Sequence, residues 1–283
     1  MSEVTLAAIV AIARLGAERV SALYAEHQAA GIEVFQKGPN DPVTRADREA
    51  NAIIVRALAE RFPEAAVIAE ESVPTPEQHR LLLEKERVFY VDPLDGTREF
   101  IDGRPEFAVM VGLAERGRAV AGAVVIPADG STLAGAADGA WIETRDGTRT
   151  PLTVSDCGEF PQARLIASRS HRPPIIAPLC KRLGVQSIVP CGSVGVKIAR
   201  LAQRAADLYV HAGRGLKLWD TCAPDPILYG AGGRMSYLDG RPIDYAAADL
   251  HLRRGLVASN GTLHPGILSA VGWAERAAAD TEA

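Results

Sequence analysis

A chain of 283 residues that is 47% apolar holds enough hydrophobic material for one large core or two lobes. At a formal net charge of −4 it carries no basic block or basic–aromatic interleaving, so a nucleic-acid polymer is not an expected partner. Cys157, Cys180, Cys191 and Cys222 are scattered without a Cys-x-x-Cys pair, which argues against a zinc knuckle or thioredoxin motif and leaves reduced, partly buried thiols as the expectation.

Val4 to Ala13 is apolar but too short for a membrane span, and no Lys or Arg precedes it as in a signal peptide. It reads as the buried side of a first helix over Thr5 to Ala29, stopped by Gly31, and a cytoplasmic location without membrane association follows. Lys37-Gly38-Pro39-Asn40-Asp41-Pro42 reads as a loop. Thr44 is an N-cap with Asp47 three residues on, a variant of the capping box. Ala46, Ala50, Ile53, Ile54, Ala57 and Leu58 then recur at helical spacing up to Pro63.

Ala65 to Ala69 reads as a strand that delivers Glu70 and Glu71 at its end, and Pro74 to Glu86 as a polar connection with some helix. Arg87 to Val91 is a second strand closing on Asp92. Phe107 to Leu113 and Ala119 to Ile126 form a strand pair, which Ala136 to Glu143 and a turn at Asp146-Gly147 continue. These make a first α+β lobe over residues 1–155. A second αβ lobe, 156–283, starts with a strand, Arg164 to Ala167, that runs into Ser168-Arg169-Ser170-His171. A helix at Ile175 to Leu183, a strand at Gln186 to Val189, a helix from Gly192-Ser193 to Gln203 and a strand at Ala206 to Val210 follow. Trp219-Asp220 then precedes a helical stretch to Tyr229, broken by Gly230 to Gly233.

Carboxylates at strand ends are rarely core material, because burying one unpaired is costly. In Asp92-Pro93-Leu94-Asp95-Gly96, Pro93 restricts the backbone and Gly96 relieves it, as in a tight turn that aims both acids and the Leu94 carbonyl at one point. Glu70 and Glu71 could add oxygens, and an all-oxygen set suits magnesium or manganese rather than zinc. A short helix beginning at Thr97 would present free N–H groups at Gly96 and Thr97, with the Thr97 hydroxyl, to a phosphate. The plainer alternative is a β-turn with solvated acids. Asp47 and Asp220 could equally be helix caps, and Lys197 a solvated helix lysine.

Glu70-Glu71-Ser72, Asp92-Pro93-Leu94-Asp95-Gly96-Thr97 and Trp219-Asp220 together resemble the three signatures of the magnesium-dependent, lithium-sensitive phosphatases of the inositol monophosphatase superfamily. The resemblance implies a layered αβαβα sugar-phosphatase fold with the site between two lobes. It implies two or three magnesium ions (manganese in their place) on Glu70, Asp92, the Leu94 carbonyl, Asp95 and Asp220, and inhibition by lithium. It gives Asp47, with Thr97, the role of water-activating acid, and Glu71 that of orienting a water. Asp95-Gly96-Thr97-Arg98-Glu99-Phe100, Ser168-Arg169-Ser170-His171, Gly192-Ser193 with Lys197, and Trp219-Asp220-Thr221-Cys222-Ala223-Pro224 look more like the 3′(2′),5′-bisphosphate nucleotidase branch. The implied substrate is adenosine 3′,5′-bisphosphate, its second phosphate meeting Ser170, His171, Gly192, Ser193 and Lys197, or Arg169 instead. Tyr245 is a weaker candidate for the base. An inositol monophosphatase-type enzyme is the near alternative and a non-catalytic nucleotide-binding protein the distant one. Relatives of this kind are monomers or homodimers.

Overall fold

The structure, a computed structural model, describes residues 3–38, 41–169, 174–212 and 215–279. Its elements in chain order are α1 (Glu3–Ala30), β1 (Val34–Gly38), β2 (Asp41–Thr44), α2 (Arg45–Arg61), β3 (Ala66–Ala69), α3 (Pro76–Leu83), β4 (Arg87–Asp95) and α4 (Thr97–Ile101). Then come β5 (Ala108–Glu115), β6 (Arg118–Ile126), β7 (Ser131–Ala136), β8 (Gly139–Glu143) and β9 (Arg149–Pro151). The remainder is β10 (Arg164–Ser168), α5 (Ile176–Leu183), β11 (Ser187–Cys191), α6 (Val194–Ala202), β12 (Leu208–His211), α7 (Trp219–Cys222), α8 (Pro224–Gly230), β13 (Arg234–Ser236), β14 (Leu256–Ser259) and α9 (His264–Ala279).

Two sheets organise these elements. The larger runs β3-β4-β5-β6-β7-β8-β9, with β3 parallel to β4 and every later pair antiparallel. The smaller runs β11-β10-β12-β14-β13; β10 is parallel to both its neighbours, and β14 is antiparallel to β12 and β13. α1 and α2 cover one face of the larger sheet, and α6, α7 and α8 lie between the sheets. α5 and α9 pack together on the far face of the smaller sheet. Three buried apolar clusters fill the spaces between these five layers. The layered αβαβα arrangement expected from the resemblance is therefore the observed one. No described helix is long and apolar enough to cross a membrane.

Local chemistry explains the elements that matter for the site. α1 buries Ile9, Ala13, Gly16, Val20 and Leu23, one helical stripe that faces α2 and the sheet. Ile54 and Leu58 of α2 are fully buried on that same side, each contributing roughly 1.5–3 kcal/mol by leaving water. α7 and α8 come down on the other face along glycines. A Cβ on Gly112 would lie 2.5 Å from the Ala223 nitrogen, and one on Gly122 would overlap the Ala223 backbone. Backbone thus packs against backbone, and a segment from the second half of the chain is seated on the sheet of the first.

Two expectations are corrected here. Of Lys37 to Pro42, expected to be a loop, Lys37 and Gly38 lie in β1 and Asp41 and Pro42 in β2, which pair antiparallel, while Pro39 and Asn40 lie outside the described residues. The first strand, Val34-Phe35-Gln36-Lys37-Gly38, is exposed and has no alternating apolar signature to reveal it. The segment Asp92 to Asp95 is not a turn that ends a strand. β4 continues through it, with Asp92 paired to Met110 and Asp95 to Ala108 across an irregular register, one residue more than on the partner strand. That is a β-bulge, and Pro93, which lacks an N–H for the ladder, sits within it.

Candidate active site

The bulge turns Asp92 and Asp95, both buried, onto the end of the larger sheet. The Leu94 N–H donates to Asp92 Oδ1 at 3.1 Å, which fixes the side chain against its own backbone. Gly96 then takes φ +98°, a left-handed conformation that starts α4. A Cβ there would lie 2.9 Å from the Glu106 carbonyl oxygen, so the position excludes larger residues on two grounds.

Thr97, the first residue of α4, reaches across to α2. Its hydroxyl lies 2.8 Å from Asp47 Oδ1 and 3.2 Å from the Leu94 carbonyl oxygen. Asp47 Oδ2 accepts the Thr44 N–H and the Thr44 hydroxyl, both at 2.7 Å. The capping box read from the sequence is present, and the same carboxylate serves both as cap and as partner of Thr97. Asp47 is 2% exposed. Burial raises its pKa against the opposing bonds from Thr44 and Thr97, and Glu70 raises it further, which makes it a better proton acceptor than a solvated aspartate.

Glu70 and Glu71 follow β3 in a single 3-10 turn, Glu70–Ser72. Both are held by Lys37 of the β1–β2 hairpin, whose Nζ lies 2.9 Å from Glu70 Oε1 and 2.6 Å from Glu71 Oε1. Desolvation of Lys37 works against its charge, but the two glutamates outweigh it and its pKa rises. Glu71 is raised by burial, against the pull of Lys37. Lys37 was not singled out by sequence reasoning. A lysine opening a Gly-Pro loop ahead of the first acid was the available signal.

Asp220, at the start of α7, joins this group from the other half of the chain. Its Oδ2 accepts the Lys217 N–H at 2.6 Å, a capping contact, while the neighbouring Trp219 is core. Asp92 is raised well above the ordinary carboxylate range by burial, then by Glu70, Asp95 and Asp220. Burial followed by Asp95 and Glu70 does the same to Asp220. For Asp95, burial outweighs its bonds from Ser193 and Gly195 and its attraction to Lys197. Among the described residues, Asp92, Asp95 and Asp220 form no direct ion pair with Lys or Arg. Nor do three acidic, His or Cys side chains converge tightly enough to grip a metal ion among those residues. The carboxylates are turned onto protein donors instead: Lys37 for the glutamates, Ser193 and Gly195 for Asp95, and the Lys217 N–H for Asp220.

Gly192, Ser193 and Lys197, expected to line a pocket for a second phosphate, lie near Asp95, and their donors face the protein. Ser193 caps α6, accepting the Val196 N–H at 3.0 Å, and its hydroxyl bonds Asp95 Oδ2. The Gly195 N–H reaches the same oxygen at 2.6 Å. The Gly192 N–H donates to Glu106 Oε2 at 3.0 Å. Lys197 is 1% exposed, and its Nζ donates to the carbonyls of Gly192 and Ser193. The expected reach of Lys197 to a phosphate is thus corrected: the lysine braces the turn from beneath, since α6 is buried on nearly every side. Arg169 is paired to Glu106. Tyr245 is 1% exposed and bonded to Asp225 at 3.1 Å, so it is core and not a base platform. Ser170 and His171 lie outside the described residues. The cysteines are free thiols; three are buried and Cys157 is half-buried.

Residues 1–274 match the inositol monophosphatase family. The chain is 32% identical over 230 residues to the 3′(2′),5′-bisphosphate nucleotidase CysQ of Escherichia coli K12, covering 81% of this chain and 89% of that protein. It is 30% identical over 241 residues to human 3′(2′),5′-bisphosphate nucleotidase 1, covering 72% and 74%. The inositol monophosphatase structure from Anabaena superposes with a TM-score of 0.75 at 25% identity, covering 96% of each chain. The chain belongs to the inositol monophosphatase family, and with it to the hydrolases of small phosphate monoesters.

Proposed function

We propose that the protein is a magnesium-dependent 3′(2′),5′-bisphosphate nucleotidase that converts adenosine 3′,5′-bisphosphate to AMP and phosphate. The observation that carries the chemistry is the Thr97 hydroxyl bonded to buried Asp47 beside a group of carboxylates, Asp92, Asp95 and Asp220, that have no ion pair with Lys or Arg among the described residues. The donor set fits a hard divalent cation: Glu70, Asp92, Asp95, Asp220 and the Leu94 carbonyl offer oxygen only, and the mutual repulsion of the acids is what such an ion relieves. Two or three magnesium ions held there, or manganese in their place, would supply positive charge to the phosphate and to the departing alcohol oxygen.

The chain's own residues do the rest. A water placed at Thr97 gives its proton to the Thr97 oxygen as the Thr97 proton passes to Asp47 Oδ1. Thr44 holds the other Asp47 oxygen and so fixes the direction of transfer. Glu71 stands next to Glu70 as the group that orients a water. Attack by water on phosphorus, opposite the leaving 3′-oxygen, needs no covalent protein intermediate.

The nucleotide substrate rests on the relatives: the E. coli and human proteins are both bisphosphate nucleotidases and span most of this chain. An inositol monophosphatase-type substrate is the second reading. It is favoured by the burial of Lys197 and by the engagement of Gly192 with Glu106, which remove two donors from a second phosphate. The deciding measurement is kcat/KM for adenosine 3′,5′-bisphosphate against inositol 1-phosphate, with magnesium. We expect the bisphosphate to be preferred, and the reverse ranking would sink the nucleotidase reading.

A further inference from the structure

A cavity of about 600 Å³ is lined by the β5–β6 hairpin, α8 and β13. It lies away from the catalytic acids. Asp95 pairs with Ala108 at one end of β5, whereas Glu115, which lines the cavity, is at the other. The extended strand between them spans roughly 23 Å, at about 3.3 Å per residue.

Asp225, in the first turn of α8, lines this cavity. Its Oδ2 accepts the Tyr245 hydroxyl at 3.1 Å, and its Oδ1 takes no hydrogen bond among the described residues. Burial pushes its pKa up to about 7, against the Tyr245 bond and the attraction of Arg118. A desolvated carboxyl oxygen without a partner is costly, and a ligand N–H would relieve it. The carboxyl is also held in place. The Tyr245 carbonyl accepts the Tyr90 hydroxyl of β4, and α8 rests on β7 at Gly135, where a Cβ would lie 2.6 Å from the Ile227 Cα.

Two exposed guanidinium groups, Arg118 and Arg234, share the lining. Among the described residues neither forms an ion pair, although other exposed arginines such as Arg87, Arg116 and Arg149 each pair with a glutamate. Pro226, Met235 and Ile243 add apolar wall, and Tyr229, 63% exposed, adds an aromatic ring. Such a lining asks for a ligand with a hydrogen-bond donor, an anionic group and a flat, largely apolar body. The volume falls in the range of sites that take organic ligands of nucleotide size.

We propose that this cavity is a second ligand site, separate from the catalytic acids, for a nucleoside monophosphate with an amino-bearing base. The amine meets Asp225, the base lies against Tyr229 and the apolar wall, and the phosphate meets Arg118 and Arg234. The site does not depend on which ester is hydrolysed.

The test titrates AMP into the full-length protein by calorimetry, with magnesium and again with excess EDTA. Without a divalent ion the catalytic acids repel a phosphate, so binding that survives EDTA belongs elsewhere. AMP should bind in EDTA, and the double variant Arg118→Ala, Arg234→Ala should weaken that binding about tenfold or more. Its unfolding midpoint should stay unchanged, since neither guanidinium is paired in the fold. Two further ligands dissect the contacts in wild type. Adenosine lacks the phosphate and purine riboside 5′-monophosphate lacks only the amine; each should bind about tenfold more weakly than AMP, or worse. Absence of AMP binding in EDTA overturns the proposal. So does a double variant that binds AMP as wild type does, or either truncated ligand binding as tightly as AMP.

Discussion

Replacing Thr97 with valine tests the proposed proton path with little change of shape. Asp47 accepts three hydrogen bonds, two from Thr44 at 2.7 Å and one from Thr97 at 2.8 Å. Valine removes only the third. A hydrogen bond to a charged, buried acceptor contributes about 1.5–3 kcal/mol, so the fold should survive. Because that bond is one of the interactions that oppose burial, its loss pushes the Asp47 pKa further up. The hydroxyl is also the only group on the proposed path between the water and Asp47. Loss of positioned acid–base help lowers kcat by about 10²–10⁴-fold, whereas KM should move by less than about threefold. Thr97→Ser, which restores the hydroxyl, should recover most of the rate. Steady-state phosphate release, with thermal unfolding of each variant alongside, provides the measurement. A Thr97→Val enzyme whose kcat stays within about tenfold of wild type would refute the relay.

Two further predictions concern stability. His264 is 2% exposed, with ring nitrogens 2.9 Å and 3.0 Å from the hydroxyls of Ser236 and Ser259, and burial followed by Arg234 brings its pKa down to about 4. In the unfolded chain histidine titrates near 6.5; above that the residue is neutral in both states and contributes no pH dependence. As pH falls from about 6.5 to 4, the unfolded chain takes up a proton that the folded state refuses, which costs up to about 3 kcal/mol of stability. Urea midpoints at pH 7.5 and 4.5 should fall less in His264→Gln than in wild type, and an identical fall would show that His264 does not titrate as stated. Gly122→Ala should lower stability by about 1–3 kcal/mol, because the new methyl meets the Ala223 backbone. It should also reduce turnover by shifting α7. Unchanged unfolding midpoint and unchanged rate together would contradict that contact.

The acids were legible because each sits at a place that sequence chemistry marks. Thr44 and Asp47 form a cap, Glu70 and Glu71 end a strand, and Asp92 to Thr97 bracket a proline and a glycine. What the sequence concealed is mostly tertiary. Lys197 follows a cap by one turn, which suggests a solvent-facing lysine. However, Val194, Gly195, Val196, Ile198 and Ala199 around it are all buried, so the helix is buried on nearly every side and runs between layers. The apolar residues Val194, Val196, Ile198, Leu201 and Ala202 are the signal in the sequence for that burial. Glu106 precedes a strand without any motif, and its bonds exist only once Arg169, Gly192 and Arg200 arrive from far along the chain. β13, β14 and α9 were not read as elements at all. β13 and β14, at 3 and 4 residues, are too brief for a clear period.

The glycine seat under α7 has a mechanical consequence. Asp220 is remote from Asp92 and Asp95 along the chain, yet the turn of helix that carries it rests directly on the backbone of β5 and β6 through Gly112 and Gly122. In any breathing of the molecule between its two sheets, Asp220 would travel with the larger sheet and its spacing from Asp92 would be preserved. The Ser193 hydroxyl and the Gly195 N–H, both bonded to Asp95 Oδ2, tie the start of α6 to that same frame. The acids from both halves of the chain thus share one support, the larger sheet.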